Sequence, residues 1–163
     1  MTVNATVNGT ETTLSTAEPD LARALRAAGY TGVKCGSENG ECGASTVLVD
    51  GSPVPAQSLS VEAAAGTEIE TIEGLGTQDD LHPIQQAFVD HFAVQCGFCI
   101  PGMILRSKAL LSENPDPSER EVREALDHHV CRCTGYQKPV EAVLDAAGRM
   151  NGRAVTDGGE SND

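Results

Sequence analysis

Apolar positions change their period near the middle of the chain. From 3 to 14 they alternate with polar ones about Asn8-Gly9, a pair that suits a type I′ turn, so this stretch predicts a β-hairpin. Ala17-Glu18-Pro19-Asp20 then predicts the start of a short helix running to about Ala28, with Pro19 near its first position and Gly29 as its stop. Residues 32–43, rich in glycine and acids, predict a loop. Thr46-Val47-Leu48-Val49 predicts a buried strand turned at Asp50-Gly51, and the alternation over 68–73 predicts another. Beyond Gly76 the spacing becomes helical. Ile84, Ala87, Phe88 and Phe92 share one face, as do Met103, Ser107, Leu110 and Leu111; Val122 and Leu126 follow, then Val140, Val143, Leu144 and Ala147. Ser118-Glu119-Arg120-Glu121 is a capping box that opens the third of these helices. The pattern therefore predicts an α+β unit followed by a compact four-helix bundle, with 158–163 as a disordered tail.

Composition limits how such a chain holds together. At 163 residues it is one ordinary domain or two small ones, and with 39% apolar residues, 3% aromatics and no Trp its cores must be built from Ala, Val, Leu and Ile. A bound metal group would reinforce so thin a core, because metal binding is coupled to folding. Net charge is −13, with 10 acids before residue 78 and 14 after it. An acidic surface spread over both halves argues against nucleic acid or an anionic membrane as partner. It suits a cytosol of molar salt, where repulsion is screened within roughly 3 Å, so a halophilic source is expected. The N-terminal residues carry no basic start and no apolar run approaches about 18 residues, which predicts a cytoplasmic protein. In that compartment six cysteines point to metal ligands before disulfides.

Four of those cysteines form two pairs, Cys96-Gly97-Phe98-Cys99 and Cys131-Arg132-Cys133, and each pair falls between predicted helices. Two inter-helix loops at one end of a bundle can bring four thiolates together. A 2Fe–2S cluster and a Cys₄ zinc site both meet that description, and ligand type alone does not separate them. The single residue inside the second pair counts modestly against zinc, whose structural pairs run C-x₂₋₄-C. Gly97 and Gly102 would leave backbone room and free N–H groups near the sulfurs. His128 and His129 precede Cys131; with four thiols available they read as a helix C-terminal feature rather than ligands. His82 and His91 are expected to face solvent, Met103 and Met150 to fill core, and Arg132 to offset cluster charge or point outward. No nucleophile–base pair stands out, and the glycines around Gly74 lack dinucleotide-binding spacing. No substrate site is expected on this chain.

The residues around the cysteines narrow the choice. Gln95-Cys-Gly-Phe-Cys-Ile-Pro-Gly-Met103 and Cys131-Arg-Cys-Thr-Gly-Tyr136 closely resemble the signature of the small 2Fe–2S subunit of the molybdenum hydroxylases, such as xanthine dehydrogenase, aldehyde oxidoreductase and aerobic carbon monoxide dehydrogenase. The resemblance extends through Asn114-Pro115-Asp116-Pro117, the early Val7-Asn8-Gly9, and Gly40-Glu41-Cys42-Gly43-Ala44 with the strand after it. It implies a ferredoxin-like β-grasp domain over 1–77 and a helical 2Fe–2S domain over 78–150, which leaves 151–163 as the expected disordered tail. By the same resemblance Cys96, Cys99, Cys131 and Cys133 ligate a cluster beside molybdopterin on a large partner subunit, and Gln95 hydrogen-bonds that pterin. A second cluster in the first domain would pass electrons on, usually to FAD on a medium subunit. The chain itself would be the electron-transfer subunit of an oxidoreductase.

In one place the sequence departs from that pattern. The four ligand positions of the ferredoxin-like domain read Ser37, Cys42, Ser45 and Gln57, and Cys35 stands two residues early. Oxygen donors suit these irons less well than thiolates. The expectation is an iron-free β-grasp shell, kept for packing or subunit contacts, with Cys35 and Cys42 as free thiols. A rival reading makes the chain a docking or assembly paralogue holding zinc or no metal.

Overall fold

The computed structural model describes residues 1–152, so the expected tail lies almost wholly outside the described residues. The fold is mixed α+β. β1 (Thr2–Val7) and β2 (Thr10–Ser15) pair antiparallel through Asn8 and Gly9, at φ 51° and 76°, which is the predicted turn. β3 (Thr46–Val49) and β4 (Ser52–Pro55) form a second hairpin around Asp50 and Gly51. β5 (Glu68–Glu70) joins the two hairpins, parallel to β1 and antiparallel to β3, giving the order β2-β1-β5-β3-β4. The β4 strand escaped the sequence reading because it is Ser-Pro-Val-Pro. Prolines cannot donate to a ladder, and β4 accordingly lies at the sheet edge. The ladder of β5 ends at Glu70, three residues short of expectation, where the chain turns into a 3₁₀ turn at Ile72–Gly74.

α1 (Leu21–Ala27) starts later than predicted. The Asp20 carboxylate caps it by accepting from Arg23 N–H at 2.8 Å, leaving Pro19 outside the helix. Leu21 and Leu25 pack on Val7, Leu14, Val47 and Ile69, the core of the sheet half.

The second half carries α2 (Pro83–Asp90), α3 (Ile100–Glu113), α4 (Glu119–Leu126) and α5 (Gln137–Met150), as the helical periodicity predicted. Ile84, Phe88, Met103, Leu126, Val140 and Val143 make a second core. The Ser118 capping box is present; the His82 one was not foreseen. His82 Nδ1 accepts from Ile84 N–H while Gln85 accepts from His82 N–H, so His82 is a helix cap and not a solvent-facing side chain. His91 likewise bonds Asp145, at 3.0 Å. Met150 is a correction as well: at the end of α5 it is 45% exposed.

A seam joins the halves. Leu48 of β3 packs with Leu105 and Ala109 of α3, and burying leucines of this kind contributes about 1.5–3 kcal/mol each. Lys108 of α3 pairs with Glu70 of β5, and Val130 N–H donates to Cys42 O at 3.0 Å. The His129 ring is pressed between two glycines. A Cβ on Gly43 would come within 2.7 Å of the His129 ring, and one on Gly102 within 3.2 Å. Gly102 therefore serves close packing at the seam, not the sulfurs as its sequence position suggested. Gly43 also takes φ +74°, which favours glycine a second time.

Candidate metal centre

The first cysteine pair is delivered by the turn between α2 and α3. Phe92, at φ 52°, ends α2 in the left-handed region while Ala93 N–H closes back on Phe88 O at 2.9 Å. Gly97 at φ +80° then reverses the chain between the two thiols, and Cys99 sits at the cap of α3, 5% exposed. The second pair lies between α4 and α5, and Tyr136 pins it. Its hydroxyl accepts from Cys131 N–H at 2.8 Å and donates to His129 O at 2.9 Å. Thr134 directs its N–H to Cys131 Sγ at 3.4 Å, with its hydroxyl 3.0 Å from the same sulfur. Tyr136 and Thr134 stood in the quoted motif, but nothing in the sequence gave them these roles.

All four predicted thiols line one cavity of about 210 Å³. Cys96 and Cys133 are exposed at its mouth, and Cys131 is half-buried. Burial, followed by the hydrogen bond and charge of Cys131, pushes the Cys99 thiol up to about 12. Burial acts on Cys131 in the same direction, but hydrogen bonds from Thr134, Cys133 N–H and Cys99 outweigh it and bring its pKa below the ordinary thiol value. Metal taken up here therefore has to displace the Cys99 proton. Among the described residues, no three His, Cys, Asp or Glu side chains close on a single ion position. A binuclear cluster makes no such demand, since each iron takes two protein sulfurs and completes its shell with sulfide. The donor set and the room suit that group.

Gln95 is exposed and its side chain makes no hydrogen bond among the described residues. Phe98 and Val130 line the cavity beside the cysteines, Val130 63% exposed, and Phe92 (82% exposed) and Val94 are exposed in the chain just before Gln95. Arg132 is exposed on the cavity rim. His129 turns away from the cysteines. It is 2% exposed, with Nε2 at 3.2 Å from Thr46 Oγ1. Burial, Arg106 and His128 lower its pKa to about 4. A neutral, buried ring does not serve the helix dipole, so that expectation is corrected.

The first-half loop gathers the four positions singled out in the sequence. Gln57 donates its side-chain N–H to Ser37 O, Gln57 N–H points at Ser45 Oγ at 3.4 Å, and Cys42 N–H donates to Ser37 Oγ at 3.3 Å. Cys35 does not join them; it packs against the sheet core, and burial raises its pKa. One thiol, two hydroxyls and a carboxamide already engaged in hydrogen bonds do not fit a 2Fe–2S cluster.

Comparison with known proteins agrees with the geometry. Residues 71–144 match the family described as a 2Fe-2S binding domain. The aldehyde oxidoreductase of Megalodesulfovibrio gigas is 48% identical over 91% of this chain, which spans only 17% of that enzyme's length. The nicotine 6-hydroxylase small subunit of Paenarthrobacter nicotinovorans is 43% identical, over 93% of this chain and 92% of its own. Among solved structures, a chain of quinoline 2-oxidoreductase from Pseudomonas putida 86 superimposes with a TM-score of 0.86 at 41% identity, covering 94% of this chain and 98% of that one.

Proposed function

Because this chain belongs to the iron–sulfur subunits and domains of the molybdenum hydroxylases, we propose that it is the electron-transfer member of such an oxidoreductase and that Cys96, Cys99, Cys131 and Cys133 ligate its 2Fe–2S cluster. One observation carries the assignment: four thiols from two inter-helix turns line a single cavity. When bound, the cluster supplies a one-electron carrier between a molybdopterin centre on a large partner and the next acceptor, a flavin subunit being the expected one. The residues of this chain hold and tune it. Tyr136 fixes the backbone of the second pair, and Thr134 directs hydrogen bonds at Cys131, a means of setting cluster potential. Gln95, exposed beside the first cysteine pair, would hydrogen-bond the pterin across the boundary, and Phe92, Val94, Phe98 and Val130 are exposed apolar side chains a partner would cover.

The same reading divides the chain into a ferredoxin-like β-grasp domain, 1–77, and a helical cluster domain, 78–150. Separate cores in the sheet and in the helices support that division, as does the central parallel pairing of β1 with β5. Cytoplasmic location and a saline source remain part of the proposal, resting on the charge of −13. The test is metal and sulfide analysis with electron paramagnetic resonance of the reduced protein. A brown chain with about two irons and two sulfides meets the expectation. A colourless chain holding one zinc would replace it with the docking role.

A further inference from the structure

The interior of loop 36–45 is filled by neutral groups bonded to one another, except that Gln57 Oε1 is buried without a partner among the described residues. Gln57 is 6% exposed and Ser45 fully buried. Gln57 donates to Ser37 O and to Ser45 Oγ, and Cys42 N–H donates to Ser37 Oγ, so these bonds tie the loop to itself and to Gln57. Gly40, at φ +83°, fits between them: a Cβ there would stand 3.3 Å from Ser45 Oγ and 3.4 Å from Gln57 Cβ. The outer side of this loop faces the other way. Gly36, Cys42 and Ala44 form one wall of the cavity that holds the four helical-half cysteines. A Cβ on Gly36 would come within 2.9 Å of both Cys42 Sγ and Phe98 Cε1, so loop and cysteine turn are in contact there. Cys42 O also accepts from Val130 N–H, the residue before Cys131.

We infer that the loop 36–45, closed by Gln57, is an iron-free hydrogen-bonded plug that positions the cysteine turns of the helical half. The chain is then a carrier with one redox centre, taking up one electron, and not a two-step relay. This rests on the reading that the helical-half cysteines hold a cluster. Gln57 acts through the loop and is a positioning residue.

The experiment counts centres in the full chain isolated with its cluster. About two irons, one paramagnetic signal and one electron per chain on reductive titration are expected. About four irons with two distinct signals would overturn the plug while leaving the proposed function standing. An iron-free chain would overturn that function, and the inference with it. A second arm installs Ser37→Cys, Ser45→Cys and Gln57→Cys beside native Cys42. Because Ser37, Ser45 and Gln57 already converge and Cys42 joins them through its N–H, iron should double and a second signal appear; an unchanged count in a folded variant overturns the convergence. The third arm is Gln57→Leu, which fills the space without the carboxamide. Iron content should hold while the g values or midpoint of the remaining centre shift, and an unaltered spectrum and midpoint would remove the positioning role.

Discussion

Replacing Tyr136 by Phe removes one oxygen and keeps the ring. That oxygen accepts from Cys131 N–H at 2.8 Å and donates to His129 O at 2.9 Å, so two part-buried backbone groups lose their partner at once. A net hydrogen bond contributes about 0.5–1.5 kcal/mol, and orphaned groups near a surface recover part of the loss from water, so a cost of about 2 kcal/mol is expected. That is roughly a thirtyfold change in the unfolding equilibrium, read as a lower urea midpoint at unchanged slope. The same change frees the backbone that presents Cys131, so iron should leave faster to a chelator. Tyr30→Phe provides the control: its hydroxyl meets Thr12 Oγ1 at 3.2 Å in the sheet half, away from the cysteines. It should cost less stability and leave iron release unchanged. Equal release rates for Tyr136→Phe and the unsubstituted chain would refute the view that this hydroxyl secures the second ligand pair.

Three other outcomes follow from the geometry. His129 titrates near 4 in the fold against 6.5 unfolded, so the unfolded chain binds its proton first and stability falls as pH drops through that window. Between pH 7 and 5 the loss attributable to it is about 2 kcal/mol; a urea-midpoint difference from His129→Gln that stays flat across those pH values would refute this. Gln95→Ala should leave the cluster spectrum intact and slow reduction of the cluster within the assembled complex, whereas unchanged reduction kinetics would remove Gln95 from the site. With a charge of −13, the chain should lose helical circular dichroism on dialysis into dilute buffer and regain it in molar salt; full retention in dilute buffer argues against the saline origin.

The helical half was legible because each helix there carries a 3.6-residue apolar stripe and because its cysteines come as close pairs in the chain. Ile84, Phe88, Val122 and Val143 all fall in the predicted core. What escaped was the contact of one half with the other. Gly43, Gly102 and His129 are 27 or more positions apart in the chain, and their meaning depends on a ring lying between two backbones. No periodicity encodes that. His82 was misplaced for a related reason. A histidine before a proline carries no strong capping signal, and only the Gln85 partner turns it into a box. At β4, Pro53 and Pro55 suppressed a strand that an edge position permits.

The seam also explains why a loop that keeps only Cys42 of its four ligand positions holds its shape. Cys131 is held from one side by Tyr136, but Val130 just before it is held by Cys42 O of the sheet half. The cysteine cavity therefore has walls from both halves, and the helices alone would leave the second pair anchored at one end. Cys96 and Cys133 are exposed at the cavity, which Phe98 and Val130 also line, and Phe92 and Val94 are exposed on the same inter-helix turn as Cys96. Covering such side chains gains up to about 1.5–3 kcal/mol for a fully exposed one and roughly half that for Val94 and Phe98, which are already partly buried. In the proposed complex a partner subunit covering these side chains would close the open side of the cavity. Electron entry would then be coupled to docking, because the partner would cover the face on which Cys96 and Cys133 are exposed.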